Sequence, residues 1–586
     1  MFLLVTASFV IVSIVAPSVA PAIEIAAKPD GLDPPKKAPQ KPAKRKSGNA
    51  VIRVQKALSE MGLYLGPIDG HLNEETEAAI RIYQKNAGIR VDGKVSRQLW
   101  GLLNNAVQVR SLLKRLDEAR RSSKDKARRA LLAHPATRDL VSEDNRERAD
   151  PTRDPSACFA EPTVRCLLDE ASESVKAVFR PELRDWALGE VLVAQARAGL
   201  GQEAMATAAR IRDPRLIMVA LRDIAEARAA AGHAEEAMKA AEIIPDHEKR
   251  ADAIAAIAAI QAKRGDREAA RLTVARLIEE TGEMKDSIKR ISYRTRGATI
   301  LAAAGDREGA EAEIAEAEAI ARVQEAESDR STALRYVAAA LADMQRPGLA
   351  LGFLDDIASS SERVSVLMSA ATAQARAGDA AAALATADTI EAVRYRAVVL
   401  GRIAIAQAKQ GARAASEATL ELALAAVEEI DLPYARSYAV SRIALSMARV
   451  GLLATKKADT AKMAFDRAAR IAEKVDDDRL RAHTLWTIAA DQRRAGNDDG
   501  AKATEALADT ATSEIKSKLT RVWMFAEIAI DHARKGESEI GWDAFRRGLG
   551  VGEKIANAWG RARALAKLAH TLVELVNPGQ GLSEEK

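Results

Sequence analysis

Leu400-Gly-Arg-Ile-Ala-Ile-Ala-Gln-Ala-Lys-Gln-Gly-Ala-Arg-Ala-Ala415 reads as an alanine-rich helix closed by Gly411 and followed at once by a second helical pattern. The stretch recurs down most of the chain. Registered on the closing glycine, the copies end at Gly199, Gly232, Gly265, Gly305, Gln345 in place of glycine, Gly378, Gly411, Gly451, Gly496 and Gly536. Their spacings are 33, 33, 40, 40, 33, 33, 40, 45 and 40 residues. A period in this range predicts a solenoid of helix pairs, in which no repeat buries its own apolar face and stacking of neighbours builds the core.

The aligned columns carry the same message. Seven residues before the turn stand Leu192, Ala225, Ala258, Ala298, Ala338, Ala371, Ala404, Ala444, Ala489 and Ala529. Three before it the residue is again alanine in all copies but one, Arg493. Columns four apart share one helical face, so this is a stripe of small side chains that lets a neighbouring backbone approach closely. Eight before the turn the chain places Val191, Ile224, Ile257, Val337, Ile403, Ile443, Ile488 and Ile528, a buried apolar face at helical period. This grid resembles the tetratricopeptide repeat over roughly residues 184 to 550. The second-helix alanine of that family is present as Ala204, Ala237, Ala270, Ala310, Ala350, Ala383 and Ala501. Glutamine replaces the family's aromatic four before the turn in half the copies (Gln195, Gln261, Gln374, Gln407 and Gln492), and several repeats are long, so an irregular superhelix of about ten helix pairs is expected.

An aromatic fraction of 4% across 586 residues, with abundant Ala, Arg and Glu, favours helices over sheets. The formal charge of +5 is small for this length and argues against nucleic acid as a partner. Residues 2–15 are almost continuously apolar and Ala20-Pro-Ala22 has the small-x-small form of a cleavage site, so 1–22 reads as a secretory signal. The run is short for a membrane span, which leaves no stable span after cleavage; an uncleaved inner-membrane anchor is the alternative. Residues 23–49, rich in proline and lysine, read as an extended tether, with a polyanion-binding segment as the other reading.

Residues 50–103 change character. Val51, Val54, Leu58 and Met61 mark one amphipathic helix, Ala79, Ile80 and Tyr83 a second capped by Asn73, and Leu99, Trp100 and Leu103 a third behind Ser96. Between them lie two Asp-Gly turns, Asp69-Gly70 and Asp92-Gly93. In Val54-Gln55-Lys56-Ala57-Leu58, Met61-Gly62-Leu63-Tyr64, Ile68-Asp69-Gly70, Thr76-Glu77-Ala78-Ala79-Ile80, Tyr83-Gln84, Val91-Asp92-Gly93 and Leu99-Trp100 the module resembles the type 1 peptidoglycan-binding domain. The resemblance implies attachment to peptidoglycan without catalysis. The two aspartates, their glycines and Trp100 read as turn and core residues, and Tyr64, Gln84 and Asn86 as candidate wall contacts.

Residues 104–156 read as a basic amphipathic helix, whose stripe of Val107, Leu112, Leu113, Leu116 and Ala119 is expected to pack on a neighbouring domain, followed by a polar linker. The solenoid is bounded at 157–580, with a tail at 581–586. The only cysteines, Cys158 and Cys166, are expected to form a local disulfide that fastens the incoming segment to the solenoid edge, with two free thiols as the alternative.

Seven scattered histidines and no Cys-His context offer neither a metal site nor a catalytic cysteine, and no cofactor motif is present. Gly536-Glu537-Ser538 has the Glu-Ser pair of lytic transglycosylases, but it falls in a repeat turn and reads as structural. One column invites function. Two residues before the turn stand Arg197, Lys263, Arg376, Lys409, Arg449, Arg494 and Arg534. On a concave groove these cations would favour acidic peptides or polyanionic glycans; the plain alternative is the preference of cations for helix C-termini. The expectation is therefore an all-α, periplasmic, non-enzymatic scaffold that binds peptidoglycan and recruits an envelope protein. A lytic-transglycosylase-like turnover enzyme, or an accessory subunit of one, is the alternative.

Overall fold

A computed structural model describes residues 47–141, 147–282, 284–454 and 458–579. The signal sequence, nearly all of the tether and the tail fall outside the described residues. The described residues form helices and turns without a strand, and no helix among them is long and apolar enough to cross a membrane. The chain divides into two compact units, Met1–Asp117 and Glu118–Lys586.

Unit 1 contains α1 (Ser47–Glu60), α2 (Glu74–Asn86) and the start of α3 (Arg97–Ala133). The capping residues act as the sequence predicts: Asn73 accepts the Thr76 N–H at 2.9 Å and Ser96 the Leu99 N–H at 3.0 Å. Val54, Leu58, Ala79, Ile80, Tyr83, Leu99 and Leu103 meet in one small core. The expected third helix and basic connector prove to be a single 37-residue helix, since nothing between Leu103 and Ala133 breaks it. Leu112, Leu113 and Leu116, expected to be packed, are about half exposed.

Unit 2 opens with α4 (Ser156–Ala160) and α5 (Val164–Lys176), joined by the Cys158–Cys166 disulfide. Ten hairpins follow. They are α6 (Pro181–Arg197) with α7 (Gly201–Ala208), α8 (Pro214–Ala231) with α9 (Ala234–Glu242), α10 (His247–Arg264) with α11 (Arg267–Gly282), α12 (Ser287–Ala303) with α13 (Arg307–Arg322), and α14 (Glu327–Asp343) with α15 (Pro347–Leu351). The second half continues with α16 (Ser360–Ala377) and α17 (Ala380–Asp388), α18 (Val393–Lys409) and α19 (Arg413–Glu428), α20 (Pro433–Leu453) and α21 (Ala458–Ala472), α22 (Asp478–Arg494) and α23 (Asp498–Glu514), and α24 (Lys518–Arg534) and α25 (Ser538–Gly552). The last helix, α26 (Ala558–Val576), has no helix after it among the described residues.

Most hairpins turn as their glycines require. At Gly411, φ is 81°, its N–H reaches the Ala408 carbonyl at 3.0 Å, and the Ala412 N–H reaches the Gln407 carbonyl at 2.9 Å. Gln345 adopts the same left-handed conformation, φ 62°. Gly451 differs from its sequence reading. It lies inside α20, which runs on to Leu453, and a Cβ there would stand 3.2 Å from Ala464 and 3.3 Å from the Ala461 carbonyl. Its role is close packing, not turning.

The residue seven before the end of each copy, alanine in all copies but the first, is buried throughout, and neighbouring first helices pack across that stripe. The first helices touch in succession from α6 to α26, and α26 then returns to pack on α6. α5 lies against α26 as the second helices lie against their own first helices. The expected solenoid of about ten helix pairs is thus present, and an eleventh pair, joining the C-terminal helix to an N-terminal one, closes it into a ring. α26 keeps the repeat grid, with Leu565, Leu568 and Ala569 fully buried at the core positions. Because the first helices pack side by side while the second helices pack mainly on first helices, the first helices form the inner wall.

Candidate functional site

In unit 1 the two Asp-Gly turns are held by one device used twice. Gln55, fully buried on α1, accepts the Gly70 N–H at 2.9 Å and donates to Asp69 Oδ1 at 3.1 Å. Gln84 on α2 accepts the Asp92 and Gly93 N–H groups at 3.0 and 2.9 Å and donates to Asp92 Oδ1 at 2.8 Å. Each aspartate also takes the N–H two residues on, from His71 or Lys94. Those backbone bonds first, and the glutamine amides second, hold both carboxyls below the usual carboxylate range.

This geometry reassigns two of the expected wall contacts. Tyr64 is buried, with its hydroxyl donating to the Pro67 carbonyl at 2.8 Å, and Gln84 is buried in its clamp. Both shape turns and present little surface. Asn86 is exposed at the end of α2. The surface beside the first turn is instead Leu65, which is 97% exposed, together with Ile68 and Leu72. Gln55 went unassigned in the sequence, although Gln55-Lys56 before Asp69-Gly70 parallels Gln84-Lys85 before Asp92-Gly93.

In unit 2, the residues two, six, nine and thirteen before each turn form the face of a first helix that points away from its second helix, and they line the inner wall. The basic column lies on this face, and the structure splits it. Arg534 pairs with Glu574 through two bonds of 2.9 and 2.7 Å, and Glu574 also lies 3.7 Å from Arg197 across the closure. Glu574 occupies the eleventh position of the same column, so an acid completes the ladder of bases. Burial would raise its carboxyl, but the His570 ring 3.6 Å away and bonds from Arg534 and the Gly579 N–H overcome this and hold it far below the usual range. Arg494 pairs with Asp491 at 3.1 Å and with Glu537. Glu537 also meets His532 at 2.5 Å, so the Glu-Ser pair of the sequence is tied into contacts between repeats.

Lys263, Arg376, Lys409 and Arg449 make no ion pair among the described residues. Two further arginines, absent from the sequence expectation, share their face: Arg402 on α18 and Arg442 on α20, nine residues before Gly411 and Gly451. Burial first, then the Arg442 guanidinium and that of Arg376, push Arg402 below the usual arginine value. The expected stripe from Arg376 to Arg534 is thereby corrected: on α16, α18 and α20 it makes no ion pair, with Asp343 on α14 and Asp491 on α22 acting on Arg376 and Arg449 at longer range, and beyond them it is paired.

The closure has its own cluster. The Arg563 guanidinium lies 4.5 Å from the Trp186 and Trp559 ring centres and 5.0 Å from that of Trp523, and it pairs with Glu190 at 2.7 Å. Trp186 and Trp559 meet edge to face at 5.8 Å.

Unit 1 and the repeat unit together define an all-α protein in which a small N-terminal domain precedes a helical repeat array. Residues 47–103 match the family model described as a putative peptidoglycan binding domain. No curated protein matches the chain significantly. Among solved structures, Ton1535 from Thermococcus onnurineus NA1 is 18% identical, covering 56% of this chain and 98% of that one, with a TM-score of 0.27. A circular tandem repeat protein with novel repeat topology is 12% identical, covering 71% and 96%, with a TM-score of 0.17. Neither likeness is strong enough to carry an argument about the ring, which rests on its own helix contacts.

Proposed function

We propose that this protein is a non-enzymatic, wall-attached scaffold of the periplasm, in which unit 1 binds peptidoglycan and the helical ring recruits a protein partner. The observation that carries the reading is the family match at residues 47–103, on a module whose polar residues Gln55, Asp69, Gln84 and Asp92 are spent on holding turns. A module of that kind offers a shaped surface and no catalytic pair. In the ring, Glu537 and Glu574, each beside a histidine of its own repeat, also pair with arginines of neighbouring repeats, which suits a framework.

The test is sedimentation with purified murein, followed by analysis of the supernatant. The full chain pellets and releases no soluble muropeptides. Removal of residues 47–103 abolishes pelleting at moderate salt. Release of muropeptides would establish the turnover-enzyme alternative, and pelleting unchanged by the deletion would remove unit 1 as the address. Partner recruitment is tested by cross-linking in envelope extracts, where the ring and not unit 1 carries the captured protein.

A further inference from the structure

We propose that the inner wall formed by α16, α18 and α20 is a second site for the wall polymer, binding a glycan strand through its carboxylate-bearing peptide stems. The identity of the polymer rests on the reading of unit 1; the site rests on the ring alone.

The first argument is charge. Arg376, Arg394, Arg402, Lys409, Arg442 and Arg449 line or edge this sector, and none makes an ion pair among the described residues. At the four inward positions of these three helices the sequence places no carboxylate. On other parts of the same wall cations meet acids, as Arg534 and Arg197 meet Glu574 and Arg494 meets Asp491, although Lys263 on α10 does not. Like charges on adjacent helices repel, and Arg402 faces two of them without an acid. A fold that supplies acids at the equivalent positions around the ring has left this sector open to an external anion.

The second argument is what accompanies the charge. Tyr434 is 73% exposed and Tyr438 45% exposed at the N-terminal end of α20, and Ser365 and Ser369 face inward from α16. Tyrosine faces and hydroxyls suit sugar rings. The aromatic band and the last cations stand fifteen residues apart on α20, roughly 22 Å along the helix, room for several saccharide and peptide units. A protein partner would instead need apolar or aromatic anchors in desolvated pockets, and beside the tyrosines this face exposes no large apolar side chain at its inward positions. The polar, anionic polymer is the better match.

The experiment is calorimetric titration of the full chain with a disaccharide–tetrapeptide muropeptide at low salt. Wild type binds two equivalents. Arg402→Glu with Arg442→Glu, checked for retained helicity and unfolding temperature, binds one, the ring site weakening at least about tenfold. The double lysine variant keeps both, because charge and not guanidinium shape dominates. The same disaccharide without its peptide stem loses the ring site. Two equivalents unaltered by the charge reversal, or no binding at all, overturn the proposal. One equivalent unaffected by the reversal overturns it while leaving the unit 1 reading intact; one equivalent abolished by the reversal sustains it and removes unit 1. Polyglutamate displacing muropeptide from the ring with higher affinity assigns the wall to acidic polypeptides and also overturns it.

Discussion

Gln345 stands where most of the other hairpin turns use glycine, and its φ of 62° places a Cβ in the left-handed region. Gln345→Gly is expected to raise stability by about 1 kcal/mol, and Gly411→Ala to lower it by a similar amount, both read from denaturant midpoints. The opposite signs at equivalent turns make the pair a sharp test, since neither side chain is needed for packing at Gly411, where a Cβ meets nothing within 4 Å. In unit 1, Gln84→Ala removes three hydrogen bonds and strands the buried Gly93 N–H, costing about 2 kcal/mol. Hydrogen exchange confined to residues 47–103 reads that loss; exchange unchanged there would deny the clamp its role. Asp-Gly turns were legible because glycine has one common reason to follow aspartate. The glutamines that hold them were not, because a buried glutamine on an amphipathic helix looks like a polar-face residue until its partners are in place.

Helices and their pairing were legible wherever period and capping agreed, as at Asn73, Ser96 and the glycine turns. Two elements escaped. α20 runs through Gly451 because tight packing against Ala461 and Ala464 demands glycine as strongly as a turn does, and sequence alone does not separate the two demands. α26 hid because Val576 occupies the turn position, and its partner α5 comes at the far end of the repeat array, where no periodicity connects them. The closure they make depends on charge. Glu574 is 1% exposed between Arg534 and Arg197, so Glu574→Gln is expected to cost about 2–3 kcal/mol, less than for a fully buried pair because Arg534 keeps access to solvent. Protease sensitivity rising at α5 and α26 before the rest of the ring would locate the damage. Burial first, aided by Arg197 and Lys567 against the pull of Glu574, lowers His570 to about 4, below the usual imidazole value of about 6.5. The unfolded chain therefore binds the proton more readily between those values, and the ring loses stability as pH falls from about 6.5 to 4. The full loss is on the order of 3 kcal/mol. His570→Gln flattens that part of the pH–stability curve; an unaltered slope would place the sensitivity in another group.

At the scale of the whole molecule, a net charge of +5 says little, and arrangement says more. Basic residues recur at one position of the repeat, which the sequence made plain, but whether each meets an acid depends on neighbours around a ring whose closure the sequence did not reveal. Arg494 and Arg534 are answered by Glu537 and Glu574, while Arg402 and Arg442 are not and Arg376 meets only the more distant charge of Asp343. Attraction of an anionic polymer to that sector should fall steeply with salt, because exposed charges are screened over about 8 Å at physiological ionic strength.

Closure is the claim on which the inner wall, its compensated sector and its open sector all depend. Its most direct test is zero-length carboxyl-to-amine cross-linking of the wild-type monomer, read by peptide mass spectrometry. Glu190 on α6 and Lys567 on α26 face each other across the joint beside the Arg563–Glu190 pair, whose members are 373 residues apart in sequence. The closed ring predicts a linked peptide joining residues 190 and 567 within single chains, lost in Glu190→Gln. A monomer in which Lys567 links only to residues of α24, and never to α6, would contradict it.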